Sequence, residues 1–208
     1  MALVTMPLGS FDASGSVAGA IVFSKWKGRN YVRRLVKPSN PKSGPQVGVR
    51  SMFKFLAQNW AGLTAPEQAT WQPLADAAVV SPFNAYMSSG QKRWRNFLPP
   101  GQEIPITETG TPGTNATWLA AAGVRQITLT SNLMTLGDNW GRLIFKGDTG
   151  FSTAFSNCIA IILLDVVSTN VEFVDTPLIA GSFFYNARDF TDDGVLGAEL
   201  GEVTATVT

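Results

Sequence analysis

The spacing of apolar residues differs between the two halves of the chain. Between residues 49 and 63, apolar side chains recur three or four positions apart, which is the spacing of one face of an α-helix. Beyond residue 123, short apolar segments alternate with turn residues, which is typical of β-strands. The first half is therefore expected to be largely helical and the second half to form sheets. The first predicted helix ends near Gly62, and its apolar stripe consists of Val49, Met52, Phe53, Leu56, Trp60 and Leu63.

Two further helical segments follow the first. The residues Thr64–Glu67 form a capping box, in which the side chain of each end residue accepts from the backbone amide of the other. A second helix is predicted to begin there, and Pro73 is expected to kink or interrupt it. A third is predicted from Ser81 to Phe97, and Pro99-Pro100-Gly101 is expected to close the domain. Each segment contributes one tryptophan that we expect in the core, and these are Trp60, Trp71 and Trp94.

A basic hairpin and a proline-rich segment precede the helices. The segments Ile21–Phe23 and Tyr31–Val36 flank the turn residues Trp26–Asn30, which predicts a β-hairpin with a basic tip. The segment Lys37–Pro45 contains three prolines, which disfavour regular structure and predict an extended arm. Such an arm is able to lie across a neighbouring subunit.

The second half is predicted to be an all-β sandwich. Residues 103–115 are rich in Thr, Gly and Pro, which is typical of a linker. The strands predicted beyond them are short and bounded by turn residues, a pattern typical of a sandwich. These strands are 124–130, 140–145, 159–163, 171–174, 182–188 and 202–207.

The charge changes sign between the two halves. Residues 1–98 contain 12 Lys and Arg against 3 Asp and Glu, whereas residues 99–208 contain 4 against 12. The net charge of +1 is therefore the sum of a basic half and an acidic half. We interpret the chain as an α+β protein with two domains. The first, at 1–98, has an N-terminal β-hairpin and three helices, a linker occupies 99–115, and the sandwich occupies 116–208.

The sequence lacks the residues that most catalytic sites need. Histidine is absent, which removes the commonest general base and the commonest zinc ligand. The single cysteine, Cys158, lies in an aliphatic run and is expected to be a buried, inert thiol rather than a nucleophile. The glycines do not follow a nucleotide-binding pattern. We therefore predict a protein that is not an enzyme, with no catalytic residue, no metal ligand and no cofactor.

Acidic residues of the second half fall mostly at predicted turns. Two interpretations are open: solvated turns, or a weak calcium site, because Ca²⁺ takes carboxylate oxygens as ligands. A carboxylate-based hydrolase is the weakest of the functions that remain. The acidic residues concerned are Asp165, Glu172, Asp175, Asp189, Asp192, Asp193, Glu199 and Glu202.

Neither a signal peptide nor a membrane helix is predicted. No Lys or Arg precedes Lys25, and the longest apolar run, Cys158–Leu164, is too short to cross a bilayer. Only 15% of the residues are charged, which is low and indicates that a partner covers part of the surface. We expect neither a membrane nor a small-molecule substrate among the partners.

The candidate binding site is the basic cluster of the hairpin with the basic residues that follow it. Lys and Arg bind phosphates or acidic protein surfaces, and Trp and Tyr stack on bases or pack in interfaces. Three interpretations are open: a solvated hairpin whose aromatic residues pack on the helices, a surface that docks on acidic protein, and a nucleic-acid contact. The residues are Lys25, Trp26, Lys27, Arg29, Tyr31, Arg33, Arg34, Lys37, Lys42 and Arg50.

Spaced positions within residues 13–97 carry a family resemblance. They are Gly15–Gly19, Trp26–Arg29, Tyr31–Arg33, Pro38–Pro41, Gln46, Arg50, Phe53, Trp60, Leu63-Thr64, Trp71 and Phe83-Asn84. At these positions the chain resembles an uncharacterised family of bacteriophages and prophages. The resemblance implies a structural role in a virion and brings no catalytic residues with it.

A second resemblance covers residues 116–208. Its motifs are Phe173–Leu178, Ala180-Gly181, Phe183–Tyr185, Asp193-Gly194 and Gly197-Ala198. With them the chain resembles a fibronectin type III module, which is an immunoglobulin-like sandwich. The chain departs from the pattern at Thr130 or Ser131, where such modules usually carry a tryptophan, so the core packing is expected to differ. Such modules usually act as spacers or binding surfaces.

Together these features predict a non-enzymatic structural protein of a bacteriophage virion, made in the host cytoplasm. The basic domain is expected to anchor to capsid, neck or tail subunits, as a capsid decoration or as a tail or neck accessory. The sandwich is expected to project or to contact neighbours, and the protein to be a homo-oligomer or present in many copies. The alternative is a nucleic-acid-binding virion protein that contacts packaged DNA.

Overall fold

The computed structural model describes residues 2–3, 15–17, 19–37, 39–40, 42–164, 171–177 and 179–207. Of the predicted features, the residues Ala18, Pro38, Pro41, Asp165 and Leu178 lie outside the described residues. The chain divides into two compact units, Met1–Pro41 and Lys42–Thr208. We call them the N-terminal unit and the large unit.

The N-terminal unit is an antiparallel sheet. Its strands are β1 (Ala2–Leu3), β2 (Gly15–Val17), β3 (Ile21–Trp26) and β4 (Arg29–Arg34), in the order β1-β4-β3-β2. The predicted hairpin is confirmed, with a tighter turn than expected. Lys27 and Gly28 alone connect β3 to β4, and both have positive φ (50° and 78°), as a two-residue type I′ turn requires.

The large unit begins with helices. These are α1 (Gly44–Asn59), α2 (Ala65–Thr70), α3 (Gln72–Ala78) and α4 (Pro82–Arg95), with a short 3₁₀ turn at Trp60–Gly62. None of the helices in the described ranges is both long and apolar enough to span a membrane. The predicted capping box is confirmed, because the Thr64 amide donates to Glu67 Oε2 (2.6 Å) and the Glu67 amide donates to Thr64 Oγ1 (3.5 Å).

Two prolines lie in the first turn of a helix. Pro73 separates α2 from α3, as predicted, and occupies the first turn of α3. The predicted extended arm is too long at its end, because α1 begins at Gly44 and takes in Pro45. A proline is accepted in the first helical turn, since its missing amide hydrogen would have no intrahelical acceptor there. The part of the predicted apolar stripe from Val49 to Leu56 belongs to a helix that starts five residues earlier than Val49, whereas Trp60 and Leu63 lie beyond its end at Asn59.

The rest of the large unit forms two antiparallel sheets. One has the strand order β5-β6-β9, and the other has the order β11-β10-β7-β8 with β12 also paired to β10. Every predicted strand of this half is present, while β5 and β11 were not predicted. The strands are β5 (Pro112–Gly123), β6 (Gln126–Gly137), β7 (Asn139–Gly147), β8 (Cys158–Leu163), β9 (Val171–Asp175), β10 (Gly181–Thr191), β11 (Leu196–Glu199) and β12 (Val203–Val207).

The sheet that contains β7 is covered on both faces. Alternate residues of a strand point to opposite faces. Ile144 packs in a core with residues of the other sheet, including Leu129 and Trp118. Its neighbours Leu143 and Phe145 pack in a second core with residues of the helices. The large unit therefore has three layers, which are the β5-β6-β9 sheet, the β7-containing sheet and the helices.

A glycine allows the helix layer to approach the sheet. A Cβ atom built on Gly141 of β7 would lie 3.0 Å from the ring of Phe55 on α1, and closer still to the ring of Phe190. Phe55 packs edge-on against Phe190 with a centroid distance of 5.5 Å. Any larger residue at position 141 would therefore force these rings away from the strand.

The predicted domain boundary at residue 98 does not coincide with the division of the chain between Pro41 and Lys42. The helices were expected in a domain of their own at 1–98, but they share a core with β7 and β10. The predicted linker at 99–115 is hydrogen-bonded both to the helices and to the turn after β10. Trp71 Nε1 donates to the carbonyl of Gln102 (2.8 Å), and the Gln102 amide donates to the carbonyl of Asp192 (2.7 Å). The strand β5 also begins within the predicted linker, at Pro112.

The thiol of Cys158 is buried as predicted, at 0% exposure. Burial raises its pKa to about 12, so almost no thiolate exists near neutral pH. We expect an aromatic disulfide reagent to leave the native protein unlabelled for hours at pH 8 and to label it at once in denaturant. A Lys54→Cys variant, exposed on α1, serves as the reactive control. Rapid labelling of native Cys158 would contradict its burial.

Candidate docking surface

The structure places most of the predicted site residues on one hairpin. Lys25 and Trp26 end β3, Lys27 lies in the turn, and β4 carries the next four. Lys37 follows in the same unit. Lys42 and Arg50 belong to the large unit, with Arg50 exposed on α1, and so are not part of the hairpin. The residues carried by β4 are Arg29, Tyr31, Arg33 and Arg34.

The strand register separates the hairpin into two faces. Residues directly opposite each other in an antiparallel pair share a face. The pairs Trp26–Arg29, Ser24–Tyr31 and Val22–Arg33 therefore form one side. We call it the aromatic–basic face, and its defining residues are Trp26, Arg29, Tyr31 and Arg33. The opposite side carries Ile21, Phe23 and Val32 together with the cations Lys25 and Arg34, and Val17 of β2 is paired to Ile21 there.

The aromatic–basic face lies in a stretch of chain whose charged residues are all basic. Residues 13–66 contain nine Lys and Arg and no Asp or Glu. At the tip, Trp26 is 66% exposed, and Lys27 Nζ lies 4.8 Å from its ring centroid in a cation–π contact. An exposed tryptophan beside cations is able to pack against apolar groups while the cations pair with carboxylates.

The N-terminal sheet has no buried core among its described residues. Every one of them whose exposure is known is intermediate or exposed. Val17 and Ile21, paired on the side opposite the aromatic–basic face, are 46% and 43% exposed, and Val36, just beyond β4, is 65% exposed. A sheet of short strands needs a covered apolar face for stability, and contiguous exposed apolar groups mark interaction sites. These observations favour a docking surface.

A second surface feature, on the large unit, is acidic. One cavity of about 350 Å³ is lined in part by Asp138 and Asp192, and an adjoining cavity of about 110 Å³ is lined in part by Glu67, Glu103 and Asp193. The two share Gln102 and Asp192, and neither is lined by Lys or Arg within the described part of the chain. We call them together the acidic groove.

The floor of the acidic groove is apolar. Leu63, Trp140 and Leu164 line the larger cavity and are each less than a tenth exposed. Above them the carboxylates are close enough to repel one another. Burial, together with the charges of Asp138 and Asp193, raises the pKa of Asp192. Cations at this groove would relieve the repulsion while apolar groups cover the floor.

Asp193 holds the segment before β5 in place. Its Oδ2 accepts from the amides of Thr109 (2.6 Å) and Gly110 (2.7 Å) and from the Thr107 hydroxyl (3.1 Å), while Oδ1 accepts from the Thr191 hydroxyl (2.6 Å). Burial alone would raise the pKa of Asp193, but these hydrogen bonds lower it to about 2. This carboxylate is committed to structure, and no group of three or more potential metal ligands occurs among the described residues.

One pair of charged side chains is buried inside the large unit. Arg142 on β7 is 1% exposed, and its guanidinium binds Asp189 on β10 through Nε–Oδ1 (2.6 Å) and Nη2–Oδ2 (3.0 Å). The remaining Arg142 donors reach Asn115 Oδ1 (2.6 Å) and Ser131 Oγ. Asn115 and Asn139 donate in turn to Asp189 (2.9 and 3.2 Å). This network joins the two sheets, and its central ion pair is closed to solvent, so its role is structural.

No family model matches the chain, and no curated protein matches it. Two solved structures are similar in part. A β-1,2-glucanase from Parabacteroides distasonis is 13% identical over 47% of this chain, with a TM-score of 0.34, and T. fusca AA10A is 12% identical over 47%, with a TM-score of 0.28. The matched parts span 14% and 55% of those chains. Likeness this low says nothing about function.

The sequence located the hairpin but not the acidic groove. The hairpin residues are consecutive, so their charge is visible without a fold. The groove is assembled from positions as distant as Glu67, in the predicted capping box, and Asp193, at a predicted turn. No local pattern signals that they meet.

Proposed function

We propose that the protein is a non-enzymatic structural component of a bacteriophage particle, which attaches through its N-terminal sheet to an acidic protein surface of the capsid, neck or tail. The observation that carries this proposal is the N-terminal sheet, in which no residue of described exposure is buried. It exposes Trp26 between basic residues and has no buried side chain among its described residues. Trp, Tyr and Arg are the residues that most often dominate binding energy at protein interfaces.

The virion context rests on the phage-family resemblance of residues 13–97. The spacer or binding role of the large unit rests on the resemblance to fibronectin type III modules. The strand arrangement supports a sandwich of this kind, because the first, second and fifth of its eight strands form one sheet, and the third, fourth, sixth, seventh and eighth form the other. Such modules usually carry a tryptophan at the position of Thr130 or Ser131. Here Ser131 accepts a hydrogen bond from the buried Arg142, so a polar contact takes the place of aromatic packing.

Combined substitution of the aromatic–basic face should remove the protein from particles. A Trp26→Ala, Arg29→Gln, Arg33→Gln variant loses the apolar anchor and two charges without touching a buried group, so its fold should persist. We expect its copy number per purified particle, measured by quantitative mass spectrometry, to fall at least about tenfold, since loss of a single hot-spot residue costs about 2 kcal/mol or more. Lys54→Gln, an exposed cation on α1, is the control and should incorporate normally. Unchanged incorporation of the triple variant would refute the docking role.

A nucleic-acid contact is the second candidate function. It is favoured by one observation, the alternation of Trp26 and Tyr31 with Arg29 and Arg33 on one face, since aromatic groups stack on bases while cations bind phosphates. Phosphate contacts release counterions, so the affinity for DNA would fall steeply with salt. A salt titration of binding to a fluorescent single-stranded oligonucleotide separates the two functions. If the surface docks on protein instead, it should not bind any oligonucleotide with micromolar or tighter affinity at about 150 mM salt.

A further inference from the structure

We infer that the aromatic–basic face of one copy of this protein docks into the acidic groove of a second copy. The inference rests on the docking role proposed above and names one partner for it, the chain itself. It is argued from three properties of the two surfaces: their charge, their apolar content and their placement on different units.

The charges of the two units are opposite. Residues 1–41 contain six Lys and Arg against one Asp, a net charge of +5, and residues 42–208 contain ten against fourteen Asp and Glu, a net charge of −4. The difference is concentrated at the two surfaces. The hairpin lies in a stretch with no acidic residue, and the described lining of the acidic groove includes no basic residue. Complementary potentials of this kind steer association and fix its register.

The apolar content also matches. Trp26 stands at the hairpin tip, 66% exposed, and needs a concave apolar site to become buried. The acidic groove has such a site, a cavity of about 350 Å³ above Leu63, Trp140 and Leu164. Asp138 and Asp192 line this cavity and Glu103 lines the adjoining one, so Arg29 and Arg33 would meet Asp192 and Glu103 while the indole covers the apolar groups. An aromatic anchor within a polar rim is the usual anatomy of a protein interface.

The placement of the two surfaces determines which assemblies of the chain can form. Because the hairpin and the groove belong to different units, each copy offers one donor surface and one acceptor surface. A contact between two unlike surfaces lets copies join serially into rings or fibres, or reciprocally into a dimer. Either outcome would supply a multicopy assembly, as a structural role in a particle requires.

Sedimentation velocity of the full chain tests the inference. We expect the average mass to rise above 22.3 kDa with protein concentration and to fall back towards it as salt is added, because screening weakens complementary charges. Two charge-reversal variants, Arg29→Glu/Arg33→Glu on the hairpin and Glu103→Lys/Asp192→Lys in the groove, should each dissociate at least about tenfold more readily. Lys54→Glu and Asp148→Lys are exposed and outside both surfaces, so they control for charge alone.

Mixing the two reversed variants is the decisive step. Alone, each presents like charges to itself and should stay monomeric. Mixed in equal amounts, the reversed hairpin faces a reversed groove and the native hairpin faces a native groove, so association should return. A wild-type chain that stays monomeric at all concentrations, or a mixture that does not associate, overturns the inference. If the hairpin variant is then still lost from particles, the proposed attachment function stands and its partner is another protein.

Discussion

Replacing Asp189 with asparagine should lower the free energy of unfolding by about 3–5 kcal/mol, because the substitution leaves the guanidinium of Arg142 buried without a counterion. Both side chains are at most 3% exposed, so water cannot replace the lost carboxylate. Asp189 also accepts from Asn115 and Asn139, and the asparagine amide would present donors to these donors. Urea denaturation followed by circular dichroism measures the loss.

Two further variants make the result specific. Asp148→Asn removes an exposed carboxylate and should change the stability by no more than about 0.5 kcal/mol. The double variant Arg142→Met/Asp189→Leu removes both charges, so it should cost less than the sum of the two single substitutions. A loss below 1 kcal/mol for Asp189→Asn would contradict a dry, closed network.

Replacing Trp94 with alanine should destabilise the helices and the sheets together, by about 3–5 kcal/mol. Trp94 of α4 is 0% exposed, and its Nε1 donates to the carbonyl of Gly48 on α1 (3.0 Å). Its ring also packs on Phe155, just before β8, at 5.3 Å between centroids. The cavity would therefore open between the helix layer and the sheet layer. We expect one cooperative transition, shifted to lower urea, in both the helical and the strand signals of circular dichroism.

The matched control for this result is Phe53→Ala. Phe53 lies on the same helix layer but is 56% exposed, so its truncation should cost well under 1 kcal/mol. If the helices instead unfolded separately, before the sheets, the shared core would not couple them and the helical segment would behave as the independent domain that the sequence predicted.

Local features of the fold could be predicted from the sequence. The capping box at Thr64 and the interruption at Pro73 depend on residues a few positions apart, and both are present. The hairpin was found because turn and β-prone residues adjoin there. In the second half, the strands that became β6–β10 and β12 are bounded by turn residues that the pattern made visible.

Features that depend on distant residues could not be predicted. The strand β5 begins in a Thr-, Gly- and Pro-rich stretch and runs on through Ala120–Ala122, which lack an alternating apolar pattern. Its place is set by pairing with β6. The stripe of α1 was visible, but nothing in it showed that its partner would be the sheet face of Leu143 and Phe145. For the same reason the change in charge near residue 98 does not coincide with the division between the two units.

The candidate site divides in the same way. The hairpin residues could be named from the sequence because they are neighbours, but their distribution between two faces required the observed register. A turn of two residues places Trp26 opposite Arg29, whereas the five-residue turn expected from the sequence would have left both outside the strands.

The buried network also bears on which strands can pair. Alanines at positions 120–122 of β5 offer little side-chain bulk to distinguish one alignment with β6 from the next. A slip of β5 by one residue along β6 would turn Asn115 to the opposite face and remove an acceptor from Arg142. A slip of β10 against β7 would do the same to Asp189, which lies directly opposite Arg142. Misaligned sheets would thus bury the Arg142 guanidinium without its full set of acceptors. The network therefore disfavours wrong strand pairings, in addition to its contribution to the folded state.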